Sequence, residues 1–250
     1  MTISARYFLV VKDGNSPEYN DDAAAADTAR ERFAISDGAA ESGFARLWSR
    51  LLVEEFVLRC DSSPEDWMTW LPAAQKRWLD ALQGVKIPYY GEQQFQQGSF
   101  ATFLGVVLSD VADGDCREAG RSWNAVAVGD SCLFHTRDGQ LRQSFPMHES
   151  REFGRLPRLV GSRSQVSEIA EKRACFMQGR SEPNDRLWLI SDALSQWCLA
   201  ENEAQRPPWG KLAEFLTASS SDEQFAHWIS ELRATGGLHN DDVTLMAIDL

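Results

Sequence analysis

Apolar residues follow two different spacings along the chain, and each spacing predicts a different kind of element. Short apolar runs bounded by turn residues such as Asp-Gly are typical of β-strands. The chain has five such runs, at Arg6–Val11, Arg32–Ser36, Ser99–Leu108, Asp185–Ser191 and Val243–Ile248. They are far apart in sequence, so any sheet built from them joins distant parts of the chain.

Two further runs alternate apolar and polar residues on either side of a turn. They are Ser122–Val128 and Cys132–His135, and the turn is Gly129-Asp130. Alternating runs separated by such a turn predict a β-hairpin. The following residues, 140–180, are polar and Arg-rich and predict no definite element.

A helical spacing of apolar residues begins at Phe44 and continues to Phe56, with Ser42 as the expected N-cap. A second helix is expected from about Ser63-Pro64, and Pro72 within it is expected to kink or break it. Three later helices are expected at Leu194–Trp197, Trp209–Leu216 and Asp222–Leu232.

The order of these elements distinguishes between fold classes. Strands come in pairs with helical blocks between them, which favours an α+β fold over the regular alternation of a parallel sheet. A length of 250 residues is near the upper limit for one hydrophobic core. We therefore expect residues 1–250 to form a single domain.

Composition narrows the range of partners and compartments. Twenty-five basic and 37 acidic residues give a net charge of −12, which disfavours binding to nucleic acid. No apolar run approaches the roughly 18 residues of a membrane span. The five cysteines are Cys60, Cys116, Cys132, Cys175 and Cys198. They form no CxxC pair, so neither a disulfide framework nor a structural zinc site is expected, and a cytoplasmic location fits better.

Acidic residues occur where predicted strands meet loops. Asn20-Asp21-Asp22 follows the first strand, Asp37 ends the second, Asp192 follows LWLIS, and Asp241 precedes the last strand. Clustered carboxylates are the oxygen ligands that hard divalent cations prefer, and Gly38 would let a backbone carbonyl approach such an ion. Asp-Gly is also an ordinary turn signal. The pattern alone thus indicates a candidate oxygen-ligand metal site and nothing more specific.

Six short motifs, spread from residue 20 to residue 244, add a resemblance. Each is weak alone, but together they occur in the order found in the metal-dependent protein phosphatases, the type 2C or PPM serine/threonine phosphatase family, which this chain resembles. The motifs are Asn20-Asp21-Asp22, Ile35-Ser36-Asp37-Gly38, Gly98–Thr102, Val126–Ser131, Ser191–Leu194 and Asp241–Thr244. The resemblance implies two antiparallel sheets packed face to face with helices on both outer faces, an αββα sandwich.

The resemblance also implies a centre of two Mn²⁺ or Mg²⁺ ions. Asp37 would bridge both ions, and the Gly38 carbonyl would bind one of them. The other expected residues are Asp192 and Asp241 at the first ion, Asp21 at the second and Asp22 behind it. A register shift of one residue would exchange Asp21 and Asp22. Asp37, Asp192 and Asp241 are the expected catalytic residues, because two such ions activate a water for attack on phosphorus.

Several positions depart from the family pattern, and two of these departures concern the binding of phosphate and of a third metal. Pro17 stands where the family carries an arginine that holds the substrate phosphate, and Arg6, Lys12 or Arg32 could take over this role. The sequence does not select among them. Phe95-Gln96-Gln97 stands where many members carry an acid for a third metal, so a third metal site is not expected.

The leading hypothesis is a cytoplasmic phosphatase that acts on phosphoserine and phosphothreonine in a phosphoprotein and opposes a serine/threonine kinase. It would need neither nucleic acid nor a membrane. One alternative is a regulatory or binding module with the same fold and little or no metal, because the arginine is missing and Ala39-Ala40 follows Gly38. Another is a phosphatase for a small phosphorylated molecule, with the Arg-rich 140–180 region as a lid.

Overall fold

The structure is a computed structural model, and it describes residues 3–61, 63–85, 92–110, 121–154, 156–217 and 221–250. Cys116 lies outside these residues. The strands within them are β1 Ser4–Val10, β2 Ala23–Asp27, β3 Arg32–Ser36, β4 Phe100–Ala101, β5 Phe103–Asp110, β6 Arg121–Val128, β7 Cys132–Arg137, β8 Gln140–Phe145, β9 Val160–Gly161, β10 Cys175–Arg180, β11 Asp185–Ile190 and β12 Val243–Asp249.

The helices in the same residues are α1 Ala45–Arg59, α2 Trp67–Ala81, α3 Glu92–Gln97, α4 Val166–Lys172, α5 Asp192–Glu203, α6 Trp209–Thr217 and α7 Ser221–Ala234. Short 3₁₀ turns occur at Pro17–Tyr19 and Ser150–Glu152. Among the described residues, no helix has both the length and the apolar composition needed to span a lipid bilayer.

Ten of these strands form two antiparallel sheets. The first has the order β1-β12-β11-β7-β8 and the second the order β10-β6-β5-β3-β2. The two shortest strands, β4 and β9, pair with each other. Strands that are distant in sequence lie side by side, as β1 does with β12. The α+β class is therefore confirmed.

The central strands, such as β11 and β12, are buried and apolar on both faces because both faces of each sheet are covered. Side chains alternate along a strand, so Leu187 and Leu189 of β11 pack between the two sheets, whereas Trp188 and Ile190 pack under helices. Helices α1 and α2 cover the second sheet, and α5, α6 and α7 cover the first. The result is the expected sandwich of helices, two sheets and helices.

The expected hairpin at Gly129-Asp130 is wrong. Strand β6 pairs with β5 and β10 in the second sheet, whereas β7 pairs with β11 and β8 in the first. The turn carries the chain from one sheet to the other. Gly129 has a φ of +109°, and a Cβ there would lie 2.7 Å from the Thr102 side chain. Alternation predicts a strand but does not identify its partner.

Two details of the expected helices also differ. Ser42 does not cap α1, since its hydroxyl donates to the Ala39 carbonyl (2.8 Å) and accepts from the Phe100 amide (3.0 Å). The helix begins after Phe44, which has a left-handed φ of 62°. Helix α2 begins at Trp67 and continues through Pro72 without a break, because a buried apolar face on both sides of the proline holds it against the sheet.

Candidate metal centre

Five aspartates lie at one edge of the two sheets because of how the strands pair. The first residue of an antiparallel strand lies beside the last residue of its partner, as Ala23 does with Ser36. By the same geometry, the end of β11 lies beside the start of β12 and beside the start of β7, where the chain has just crossed over from β6. We call the resulting group the carboxylate cluster: Asp22, Asp37, Asp130, Asp192 and Asp241.

Asp37 is held through its backbone. Its amide donates to Thr102 Oγ1 (3.1 Å), and its carbonyl accepts from the Thr102 amide (2.8 Å). Thr102 is itself fixed by Ser36, whose hydroxyl donates to its carbonyl (2.6 Å), and by a hydroxyl contact with Ser131 (3.0 Å). The backbone bonds leave the Asp37 carboxylate to face the other acids of the cluster.

Asp22 is held through its side chain. Thr244 Oγ1 donates to Asp22 Oδ2 (2.7 Å), and the Thr244 amide donates to Ser191 Oγ (2.8 Å). Asp22 Oδ1 is buried and has no hydrogen-bond partner. A buried carboxylate oxygen without a partner is costly unless something else satisfies it.

Burial and the charges of the other acids raise the pKa values of Asp22, Asp37 and Asp192. Burial raises the pKa of Asp37 well above its usual range, and the charges of Asp22, Asp192, Asp241 and Asp130 raise it further. Burial, with the charges of Asp130 and Asp241, raises the pKa of Asp192 to about 7. Burial raises the pKa of Asp22 to about 7 against the hydrogen bond from Thr244, which lowers it. The cluster thus concentrates negative charge in a poorly hydrated place.

Asp21 occupies a different place from Asp22. Its amide donates to Asp242 Oδ2 (2.7 Å), and its carbonyl accepts from the Gly38 amide (3.2 Å). Burial and the charge of Asp242 raise the pKa of its partly buried carboxyl, while the charge of Lys12 lowers it. The structure therefore distinguishes the two neighbours: Asp22 lies in the cluster, and Asp21 braces the loops beside it.

Gly38 has no room for a side chain. A Cβ at this position would lie 2.7 Å from the Asp21 carbonyl oxygen and 3.1 Å from the Ala45 backbone. The backbones at Asp21, Gly38 and Ala45 approach one another so closely that this position requires glycine.

The donor set fits a hard divalent cation in its chemistry. Every member supplies carboxylate oxygens, and a cation would offset the repulsion between them and could satisfy Asp22 Oδ1. Within the described part of the chain, however, no three His, Cys, Asp or Glu side chains are close enough to form a ready-made metal-binding group.

Sequence reasoning missed two residues of this edge. In the sequence, Asp130 stands out only as part of the Val126–Ser131 motif, yet its charge acts on both Asp37 and Asp192. Thr102 was noticed only at the end of the loosely matching Gly98–Thr102 motif. The motif positions were the available signal for both, but only the tertiary structure shows what they contact.

The Arg-rich 140–180 region borders the cluster. A groove of about 710 Å³ opens beside Asp130 and is lined by three arginines and two glutamates of this region. These are Arg151, Arg158, Arg173, Glu149 and Glu152. Positive and negative charges are therefore mixed in its walls.

Comparison with known proteins identifies the fold. No family model matches the sequence, and no curated protein matches it. Among solved structures, the chain is similar to the serine/threonine phosphatase PstP/Ppp of Mycobacterium tuberculosis, with a TM-score of 0.59 and 18% identity over 100% of this chain and 99% of that one.

Two further solved structures are similar over nearly their whole length. Stp1 of Staphylococcus aureus matches with a TM-score of 0.61 and 16% identity, over 100% of this chain and 96% of that one. The catalytic domain of PstP in complex with two manganese ions matches with a TM-score of 0.58 and 20% identity, over 99% of each chain. The chain thus has the fold of the bacterial PPM-type serine/threonine phosphatases, as the sequence resemblance predicted.

Proposed function

We propose that the protein is a metal-dependent phosphatase that hydrolyses phosphoserine and phosphothreonine in a phosphoprotein substrate. The observation that carries this proposal is the convergence of five aspartates, from both sheets, at one edge of a phosphatase fold. Supporting it, burial and mutual repulsion raise the pKa values of Asp22, Asp37 and Asp192, which is typical of sites built to receive a cation.

In this proposal, two Mn²⁺ or Mg²⁺ ions bind at the carboxylate cluster, with Asp37, Asp192 and Asp241 as the catalytic residues. The Gly38 carbonyl is a further ligand, and Asp22 is the acid of the Asp21-Asp22 pair that faces the ions. When bound, such ions supply positive charge for the phosphoryl group and acidify an attacking water. The chain's own contribution is to hold Asp37 through Thr102 and Asp22 through Thr244.

The proposal treats residues 1–250 as one phosphatase-like domain that works in the cytoplasm against a serine/threonine kinase. We expect the groove beside Asp130 to receive the substrate chain around the phosphorylated residue.

Asp37→Asn tests the proposal directly. Hydrolysis of p-nitrophenyl phosphate and of a phosphothreonine peptide is measured with Mn²⁺, with Mg²⁺ and with EDTA. We expect turnover by the wild type that requires the metal and falls at least about a hundredfold in Asp37→Asn, because the variant loses charge stabilisation at the reacting centre. Asp80→Asn is the matched control, since Asp80 lies exposed on α2 in an ion pair with Lys76.

The regulatory-module hypothesis rests on the missing arginine and on Ala39-Ala40, and the lack of a three-residue metal-binding group among the described residues also favours it. Calorimetry with Mn²⁺ separates the two readings. If the wild type neither binds Mn²⁺ nor hydrolyses either substrate with any metal, the phosphatase proposal fails and the binding-module reading replaces it.

A further inference from the structure

Lys12 lies beside the carboxylate cluster on its solvent side. Strand β1 ends at Val10, whose partner Val243 begins β12, so Lys12 lies at the same edge as Asp241. Lys12 Nζ is 3.9 Å from Asp241 Oδ1, with side chains 25% and 52% exposed, respectively. A ligand that reaches the cluster from solvent on this side therefore meets the Lys12 ammonium.

The backbone at Lys12 is fixed to the loops of the cluster. The Lys12 amide donates to Asp242 Oδ1 (2.8 Å), and the other oxygen of Asp242 accepts from the Asp21 amide (2.7 Å). The next residue, Asp13, donates its amide to Asn240 Oδ1 (2.8 Å). The backbone position of Lys12 is therefore set by the same loops that carry Asp21 and Asp241.

The other two cations left open by the sequence lie elsewhere. Arg6 donates to the Leu216 carbonyl and contacts Ser221 at the start of α7. Arg32 donates to the Leu58 carbonyl and begins β3, whereas Asp37 follows the opposite end of that strand. Of the three candidates, Lys12 is the one that contacts an acid of the cluster.

We propose that Lys12 binds the phosphoryl group of the substrate, in place of the arginine that Pro17 replaces. This inference rests on the proposed function. Once divalent cations neutralise the cluster, Asp241 no longer needs the ammonium as its counter-ion. Lys12 is then left to pair with a phosphate oxygen, which a lysine binds as a point charge with three donors.

The experiment compares Lys12→Met and Lys12→Arg with the wild type in the presence of Mn²⁺. Three quantities are measured: KM and kcat for p-nitrophenyl phosphate, the Kd of inorganic phosphate for the Mn²⁺-loaded protein by calorimetry, and the Kd of Mn²⁺ itself. Lys211→Met is the matched control, since Lys211 is an exposed lysine paired with Glu214 on α6.

We expect Lys12→Met to raise both KM and the phosphate Kd by roughly 10- to 100-fold, the range for losing a charge-assisted hydrogen bond. Lys12→Arg keeps the charge and should restore most of the affinity. The Mn²⁺ Kd should change less than either, and Lys211→Met should match the wild type.

An unchanged phosphate Kd in an active Lys12→Met protein would overturn the inference and leave Lys12 as a structural partner of Asp241. The same holds if only the Mn²⁺ Kd changes. A wild type that binds Mn²⁺ and phosphate but turns over no substrate would refute the proposed phosphatase activity, while the phosphate Kd of Lys12→Met would still decide the role of Lys12. A wild type that binds neither would overturn both.

Discussion

At the scale of single residues, Asp242 shows how one buried side chain fixes the edge on which the cluster is built. It is 3% exposed, and its two carboxylate oxygens accept from the backbone amides of Lys12 and Asp21. Both amides belong to the segment between β1 and β2. An asparagine has only one acceptor oxygen, so it can satisfy one of these amides but not both.

We therefore expect Asp242→Asn to destabilise the protein by about 1–3 kcal/mol, the cost of a buried donor left without its acceptor. The free energy of unfolding from urea titration measures this loss. Asp222→Asn is a suitable comparison, because Asp222 is exposed and contacts Arg6 at 3.5 Å, and it should lose well under about 1 kcal/mol. Equal stability of Asp242→Asn and wild type would show that the two amide bonds are not both needed.

At the scale of elements, the outer helix α7 reaches the edge that carries the carboxylate cluster through Arg233 in its last turn. The Arg233 side chain is 3% exposed and donates to the Val11 carbonyl, to Asp13 Oδ1 and to the Asp241 carbonyl. It thereby ties the end of the helix to both loops that hold Lys12 and Asp241. The packing of α7 on the first sheet, through Phe225 and Ile229, thus contributes to positioning the cluster.

Arg233→Met keeps the length and the apolar stem of this side chain but removes its donors. We expect the variant to be less stable by about 1–3 kcal/mol and to bind Mn²⁺ more weakly, because the Asp241 loop loses its support. Calorimetry and urea unfolding measure the two effects. The control is Arg206→Met, which removes an exposed ion pair with Glu201. Unchanged Mn²⁺ affinity in Arg233→Met would show that α7 does not contribute to Mn²⁺ binding through Arg233.

At the scale of the whole molecule, the sequence predicted the strands with a clear apolar run or a clear apolar–polar alternation and missed those with neither. The sequence predicts strands at Arg32–Ser36 and Asp185–Ser191 because each is a continuous apolar run that ends at a turn or at a helix cap. Strand β2 is mostly alanine, and edge strand β8 exposes polar residues, so neither has a clear strand pattern. The sequence did not predict which strands pair with each other, as the crossing between the sheets at Gly129-Asp130 shows.

The site was predictable to a similar extent. The sequence singles out Asp37 and Asp192, because a carboxylate directly after a predicted strand is visible in it, and both lie in the carboxylate cluster. The choice between Asp21 and Asp22 was not, because adjacent residues point in different directions and only the contacts with Thr244 and Asp242 separate them. Thr102 acts through backbone bonds to Asp37, which no spacing along the chain reveals.

The carboxylate cluster also sets how the stability of the whole protein depends on pH. Asp22 and Asp192 have pKa values of about 7 in the folded chain, against about 4 for an ordinary aspartate. Between these values the folded state holds more protons than the unfolded state, so stability falls as the pH rises. Asp185 acts oppositely: burial raises its pKa, but the hydrogen bonds from Arg137 lower it overall, so its contribution is lost only in acid.

We therefore expect the Tm of the metal-free protein, followed by tryptophan fluorescence in EDTA, to fall between about pH 5 and about pH 7.5, above the range in which Asp185 titrates. Mn²⁺ should raise the Tm most at the upper end of this range, where the carboxylates are ionised without a counter-ion. Asp192→Asn should flatten the fall, because the variant has one acid fewer to ionise. A Tm in EDTA that rises steadily over this range would mean that the cluster is hydrated or separated in solution, and the electrostatic case for a metal centre would fail with it.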